Sequence, residues 1–354
     1  MNHEFHPLTV LETREEIGGL ARTVMFQVPE SLTETYAWRA GQHLSFRFQL
    51  NGEEVRRSYS ISSSPVSGDP LRITVKRVKD GLVSNHINDN VAQGDVIEVM
   101  PPFGRFCLDT APNLRRTHYF FGAGSGITPL FSMLQSVLCA EPHSAAYLAY
   151  GNKNADSILF RESLQRLVQE HGSRIGVRHV LSAPSLWSGF DYWRKGIVDA
   201  AAIEALINEC PPYAQDAQYY ICGPGGMNKA VKSALMALDV PADRIHMESY
   251  GGAAEIDDTV QGMAATAALT LNGEQFNLPI GANQTVLDAA RQAGLTPPFS
   301  CQSGVCGACR ARLTQGNVHM RARMALEDSD IEKGDILTCQ SLPTSETLAI
   351  SYDG

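Results

Sequence analysis

Cysteines at positions 301, 306, 309 and 339 constrain this chain more than any other feature. They follow the pattern C-x4-C-x2-C-x29-C. That spacing holds a [2Fe–2S] cluster, with three thiolates on one loop and the fourth returning from a distant segment. Each iron takes tetrahedral sulfur coordination, and thiolates suit a soft, redox-active metal. The loop reads Cys301-Gln302-Ser303-Gly304-Val305-Cys306-Gly307-Ala308-Cys309. Small residues between the ligands let backbone amides reach cluster sulfurs and tune the potential. A structural zinc site and a disulfide framework are the alternatives. Zinc ribbons carry two matched C-x2-C knuckles and this chain has one. No secretory signal marks a disulfide-rich secreted chain.

With 354 residues, the chain has room for two or three domains with their own cores. No apolar run approaches the roughly 20 residues of a membrane span. Met1-Asn2-His3-Glu4 lacks the basic start and apolar stretch of a signal peptide, so a cytoplasmic location without membrane contact is expected. A net charge of −9 argues against nucleic-acid partners, which call for basic patches. Glu327, Asp328, Asp330, Glu332 and Asp335 cluster ahead of the fourth cysteine. They read either as a solvated face or as a docking patch for a basic electron-transfer partner.

Residues 1–112 hold short alternating runs, including Val24–Val28, His43–Phe48 and Leu71–Val75, with Asn51-Gly52 as a hairpin turn. A small antiparallel β-barrel is expected. Within it, Arg57-Ser58-Tyr59-Ser60 resembles the R-x-Y-S motif of the ferredoxin reductase flavoproteins. The resemblance implies that Arg57 pairs with the flavin phosphate, Tyr59 packs on the isoalloxazine and Ser60 lies near flavin N5. The preceding Ala40-Gly41-Gln42-His43 is similar to the family's P-G-Q strand entry, with Ala40 in place of proline. Lys76 and Val78 match the segment whose backbone lines the flavin. Gly81-Leu82-Val83-Ser84 matches the G-x-x-S turn, which opens a helix facing a phosphate. Gly81 and Ser84, added to Arg57, favour FAD over FMN, because a diphosphate demands more donors.

Residues 113–250 alternate strands with helical periods, the pattern of an α/β Rossmann-like parallel sheet. Thr117–Phe121 runs into Gly122-Ala123-Gly124-Ser125-Gly126-Ile127-Thr128-Pro129. Glycines between strand and helix let a pyrophosphate sit on the helix N-terminus. This G-x-G-x-G-x-T-P spelling is that of the reductase family, and it assigns Gly122, Gly124, Ser125, Gly126 and Thr128 to NADH or NADPH. Lys153, after the second strand, reads equally as a 2′-phosphate contact or a solvated loop residue. Cys222-Gly223-Pro224 resembles the family's C-G-P turn beside the nicotinamide. By the same resemblance Glu248 lies at that site and Tyr250 covers the flavin face. Ser60, Cys222 and Glu248 are thus the expected catalytic residues.

Residues 251–264 are small and polar, as a linker would be. Residues 265–354 resemble plant-type ferredoxins, an α+β (β-grasp) fold. Asn272-Gly273 reads as a hairpin turn, Thr285 as a helix cap, and Leu337–Gln340 as the return strand bearing Cys339.

The three modules occur in one order. The chain resembles the reductase components of multicomponent bacterial oxygenases with a C-terminal ferredoxin. Among these it is most similar to the reductase subunits of phenylacetyl-CoA epoxidases. That resemblance implies hydride transfer from NAD(P)H to FAD, then single electrons through the cluster to an oxygenase component, a diiron one. An acyl desaturase, a ring-hydroxylating oxygenase and a hybrid-cluster protein are other acceptors of the same class. A redox-sensing regulator is the reading from another class.

Overall fold

The structure is a computed structural model that describes residues 4–185, 187, 189–214, 216–249, 257–326 and 328–353. Tyr250, Glu327 and residues 251–256, the first part of the expected linker, lie outside them. The chain separates into two compact units, Met1–Gly251 and Gly252–Gly354. Among the described residues no helix is long and apolar enough to cross a membrane.

The first unit begins with β1 (His6–Glu16), β2 (Ala21–Gln27), β3 (His43–Leu50), β4 (Glu53–Ser60), β5 (Arg72–Lys76), α1 (Leu82–Asn90) and β6 (Val96–Phe103). The strands pair antiparallel in the order β4-β3-β6-β1-β2-β5. A bridge between Ile61 and Ile73 joins the two ends of that order and closes the sheet into a barrel. Alternation explains the closure. Leu44, Phe46 and Phe48 of β3 point inward, with Val24, Phe26, Ile73, Val75 and Val99 opposite. Asn51 and Gly52 both take positive φ, as the tight turn between β3 and β4 requires.

The same unit continues with β7 (Thr117–Ala123), α2 (Ile127–Ala140), β8 (Ala145–Asn152), α3 (Arg161–His171), β9 (Ile175–Leu181), β10 (Arg194–Lys195), α4 (Ala200–Glu209), β11 (Ala217–Gly223), α5 (Gly225–Ala237) and β12 (Ile245–Ser249). All strand pairs are parallel, in the order β10-β9-β8-β7-β11-β12. The chain steps outward from β7 on one side and then returns to its other side. The topological switch therefore falls between β7 and β11, where open α/β sheets bind ligands at their carboxyl ends. Helix α2 carries a polar stripe that ties the sheet to the barrel. Ser132 Oγ donates to the Ser63 carbonyl at 2.6 Å, Gln135 Nε2 to that of Ser62 at 3.2 Å, and the Ser64 and Ser136 hydroxyls meet at 2.7 Å.

The second unit contains β13 (Ala265–Leu271), β14 (Glu274–Ile280), α6 (Val286–Gln292), β15 (Arg310–Gln315), β16 (Val318–Met320), α7 (Asp328–Glu332), β17 (Asp335–Leu337), β18 (Ser341–Pro343) and β19 (Thr347–Ser351). Five strands form a mixed sheet, β14-β13-β19-β15-β17, with α6 packed on β14 and its buried face in the core. Thr285 caps α6, its hydroxyl accepting from the Asp288 amide at 3.1 Å. Asp257 and Met263 donate backbone bonds to Arg321 and Pro343, so the described part of 257–264 is pinned to this unit.

Candidate redox sites

Three adjacent strands build the first site at their carboxyl ends. Gly122 of β7, Cys222 of β11 and Glu248 of β12 stand side by side in register. A Cβ at Gly126 would lie 2.1 Å from the Cys222 carbonyl oxygen. No side chain fits there, which is what lets the start of α2 press against β11. At Gly122 a Cβ would meet the Leu130 side chain at 2.9 Å. Gly124 differs from both. Its φ is +55° and nothing lies within 4 Å of its missing Cβ, so the turn presents bare backbone to open space. Tyr150 holds that turn by donating to the Gly124 carbonyl at 2.9 Å, and Thr128 Oγ1 donates to Ser125.

A cleft of about 530 Å³ opens over the turn. Gly124, Ser125, Gly223, Pro224, Lys153 and Lys76 are among the residues lining it. It has the size, glycine-lined floor and cationic walls that a dinucleotide's pyrophosphate requires. Lys76 comes from the barrel, and burial lowers its pKa. The family motif places the backbone around Lys76 near a cofactor, and here Lys76 is also among the residues lining the cleft. Cys222 is fully buried, and that burial, with Glu248 adding to it, pushes its thiol well above the ordinary range. A buried, neutral thiol of this kind is not a nucleophile.

The barrel places the flavin residues on β4 and the turn after β5. Arg57 is exposed, and among the described residues its guanidinium bonds the Arg56 carbonyl at 2.7 Å and no carboxylate. Tyr59 packs its ring on Phe46 with centroids 5.9 Å apart, and burial raises its hydroxyl pKa. Ser60 is 2 % exposed, yet its Oγ has no hydrogen-bond partner among the described residues. A buried hydroxyl without a partner costs about 1–3 kcal/mol. An uncommitted guanidinium and an orphaned hydroxyl on one strand fit a phosphate-bearing ring cofactor. Ser84 Oγ donates to the Gly81 carbonyl and accepts from the Val78 amide, both at 3.3 Å, so it locks the turn at the start of α1. Val78 is 60 % exposed. Replacing Arg57 by alanine is expected to weaken flavin retention roughly thirtyfold, the equivalent of about 2 kcal/mol for a lost charge-assisted bond. Flavin released on dialysis and quantified by fluorescence checks this.

His43 went unassigned in the sequence. It is buried on β3, directly opposite Ser60 on β4, and its Nδ1 lies 3.8 Å from Glu248 Oε1. The only local signal was a histidine next to the Gly41-Gln42 entry. Its partner across the unit left none.

In the second unit the cluster loop is shaped by Gln302, Gly304 and Gly307, all at positive φ. A Cβ at Gly304 would lie 2.7 Å from the Ala322 carbonyl. Amides point inward at sulfur. Ser303 and Cys306 donate to Cys301 Sγ at 3.4 Å, and Ala308 donates to Cys306 Sγ at 3.5 Å. The thiols pair as Cys301 with Cys306 and Cys309 with Cys339. Bonds from Cys306 and from Cys309 pull Cys301 and Cys339 respectively toward thiolate. Four thiols gathered by two segments, with backbone amides turned toward their sulfurs, fit the [2Fe–2S] centre that the spacing implies.

Cys339 lies in the turn after β17 rather than on a return strand. The adjoining Thr338 spends its amide and hydroxyl on the Cys309 carbonyl, at 3.1 and 2.9 Å, so these bonds lock the cluster loop instead of a ladder. The acidic run is divided: Asp328 and Glu332 are exposed, as either reading expects, while others turn inward. Asp335 is buried against Arg310 and Arg312, Asp330 bonds Arg310, and Asp328 pairs with Arg323. The charges of Asp330 and Asp335 are thus met within the unit.

The comparisons match this division. Models of an oxidoreductase FAD-binding domain, an oxidoreductase NAD-binding domain and a 2Fe-2S iron–sulfur cluster binding domain match residues 8–107, 120–233 and 269–344. The ferredoxin reductase component of 3-ketosteroid-9-alpha-monooxygenase from Rhodococcus rhodochrous is 33% identical, over 98% of this chain and 96% of that one. One subunit of the 1,2-phenylacetyl-CoA epoxidase of Escherichia coli (strain K12) is 31% identical, over 99% and 98%. The structure of phthalate dioxygenase reductase aligns with a TM-score of 0.59 over 98% of both chains, at 24% identity, and shares the fold. Barrel, nucleotide sheet and cluster unit thus recur together along the whole length, and the chain belongs to the FAD-, NAD- and [2Fe–2S]-containing ferredoxin reductase components of oxygenase systems.

Proposed function

We propose that this chain draws hydride equivalents from NAD(P)H and delivers single electrons to a diiron oxygenase component of the phenylacetyl-CoA epoxidase type, in the cytoplasm. When bound, FAD supplies the exchange between two-electron and one-electron chemistry, and the cluster supplies the one-electron outlet. The observation that carries the reading is the register of Gly122, Cys222 and Glu248 at the carboxyl ends of three adjacent strands, beside a cleft lined by Gly124, Ser125, Gly223 and Pro224, with His43, the strand partner of Ser60, 3.8 Å from Glu248.

The residues divide the work. Gly122, Gly124, Ser125, Gly126 and Thr128 seat the pyrophosphate, with Gly223 and Pro224 shaping the far wall. Cys222 excludes water beside the nicotinamide, and Glu248 marks that end with a carboxylate. Ser60 offers its uncommitted hydroxyl toward the isoalloxazine, Tyr59 and Val78 supply packing surface, and Arg57 with the Gly81–Ser84 turn takes the flavin phosphates. Tyr250, outside the described residues, covers the flavin face. Cys301, Cys306, Cys309 and Cys339 ligate the irons. Boundaries at 112, 250 and 264 separate barrel, nucleotide domain, linker and ferredoxin.

Likeness to the Escherichia coli epoxidase relative supports the acceptor. The Rhodococcus relative supports a second reading, a steroid monooxygenase. Reconstitution decides between them. With NAD(P)H present, the reductase is expected to sustain oxygenation by a phenylacetyl-CoA epoxidase at least about tenfold faster than by a 3-ketosteroid monooxygenase, a preference of the size that interface complementarity gives. The reverse order would transfer the proposal to the steroid system.

A further inference from the structure

His43 sits where the barrel meets the nucleotide sheet. Its ring is buried against Phe103 and Gly104. Phe103 contacts it edge-on with centroids 4.1 Å apart. Gly104, at φ +120°, lies so close that a Cβ there would be 2.9 Å from His43 Nδ1. Strand pairing sets Ser60 directly across from it. Its Nδ1 lies 3.8 Å from Glu248 Oε1. Glu248 in turn stands beside Cys222 on the neighbouring strand. A largely buried carboxylate needs a partner to keep one geometry, and here the ring that approaches it belongs to the flavin barrel.

We propose that His43 is a positioning residue for hydride delivery: it holds the Glu248 carboxylate at the nicotinamide end of the cleft and registers the nucleotide sheet against the strand bearing Ser60. The inference rests on the reading of this cleft as the NAD(P)H–flavin site. Small displacements matter at such a site, since an error of about 1 Å between reacting groups costs roughly a hundredfold in rate.

The test is a double-mutant cycle on the flavin-loaded protein with H43F, E248Q and the pair, together with H43Q. Anaerobic stopped-flow reduction by NAD(P)H reads the limiting rate and the half-saturating concentration. H43F and E248Q are each expected to lower the limiting rate about tenfold or more, while half-saturation moves less than about threefold, because the pyrophosphate floor is untouched. The double variant should be no slower than the worse single variant, within about twofold. H43Q, which keeps a polar group of similar reach, should recover most of the rate. Thermal unfolding gives a readout apart from turnover: the Tm loss of the double variant should fall short of the summed single losses by about 3 °C or more. Multiplicative rate losses with additive Tm losses would overturn the proposal, as would loss of flavin from both H43F and H43Q, which marks a structural residue. If the wild-type flavin were not reduced by NAD(P)H at all, the reading of the cleft would fail, while the Tm cycle would still report whether His43 holds Glu248.

Discussion

Cys306→Ser is expected to abolish cytochrome c reduction while sparing ferricyanide reduction. Cys306 pairs with Cys301 and accepts a bond from the Ala308 amide, so it is central to the loop that wraps the cluster. Serine offers a harder oxygen ligand with a much higher pKa, and a soft iron–sulfur centre is lost or crippled by the exchange. The rate to a one-electron protein acceptor should fall about a hundredfold or more, because the outlet is gone. Ferricyanide takes electrons from reduced flavin directly, and its rate should stay within about twofold of wild type. Residues of the first unit make no part of the cluster loop, and the loop's described bonds lie within the second unit. Steady-state assays with both acceptors, alongside iron content, check the outcome.

Gly126→Val carries the second large effect, at the other end of the electron path. The missing Cβ would lie 2.1 Å from the Cys222 carbonyl oxygen and 3.0 Å from the Gly223 amide nitrogen. Both are backbone atoms of a central strand, so neither gives way as a flexible side chain would. Valine forces the start of α2 away from β11, and overpacking of this kind costs about 1–3 kcal/mol or more. The anion floor moves with the helix. Flavin reduction by NAD(P)H should fall about a hundredfold, as expected when a binding group shifts by an ångström. Reduction of flavin and cluster by dithionite, which does not use the cleft, should persist. Gly124→Ala is the contrasting case: its side chain would enter open space, so its cost is the strain of about 1–2 kcal/mol that a φ of +55° imposes on any residue but glycine, with no backbone atom to displace.

Much of the fold could be read in the chain because local signals agreed with the final architecture. Alternating residues on β3, the Asn-Gly turns and the cap at Thr285 each depend on neighbours a few residues away. The strand-to-helix turn from Gly122 to Gly126 is equally legible, since its glycines mark where β7 ends and α2 begins. What stayed hidden depends on contacts across the fold. Asp335 looked like one more charge in a solvated run, but the register of β15 with β17 sets it opposite Arg312, beside Arg310, and buries it. Cys339 looked like a strand residue, yet the Thr338 bonds to Cys309 end the strand first. His43 and Glu248 come from different sheets, and no periodicity links them.

Anaerobic reduction by one equivalent of NAD(P)H, followed by flavin absorbance and by the electron paramagnetic resonance of the reduced cluster, tests the electron path most directly. In the wild-type protein, flavin bleaching is expected first and the cluster signal second. In Cys306→Ser the reaction should stop at reduced flavin with no cluster signal. A cluster signal that rises before flavin bleaching, or that appears undiminished in flavin-stripped protein, would contradict a path that runs from nucleotide through flavin to the four cysteines.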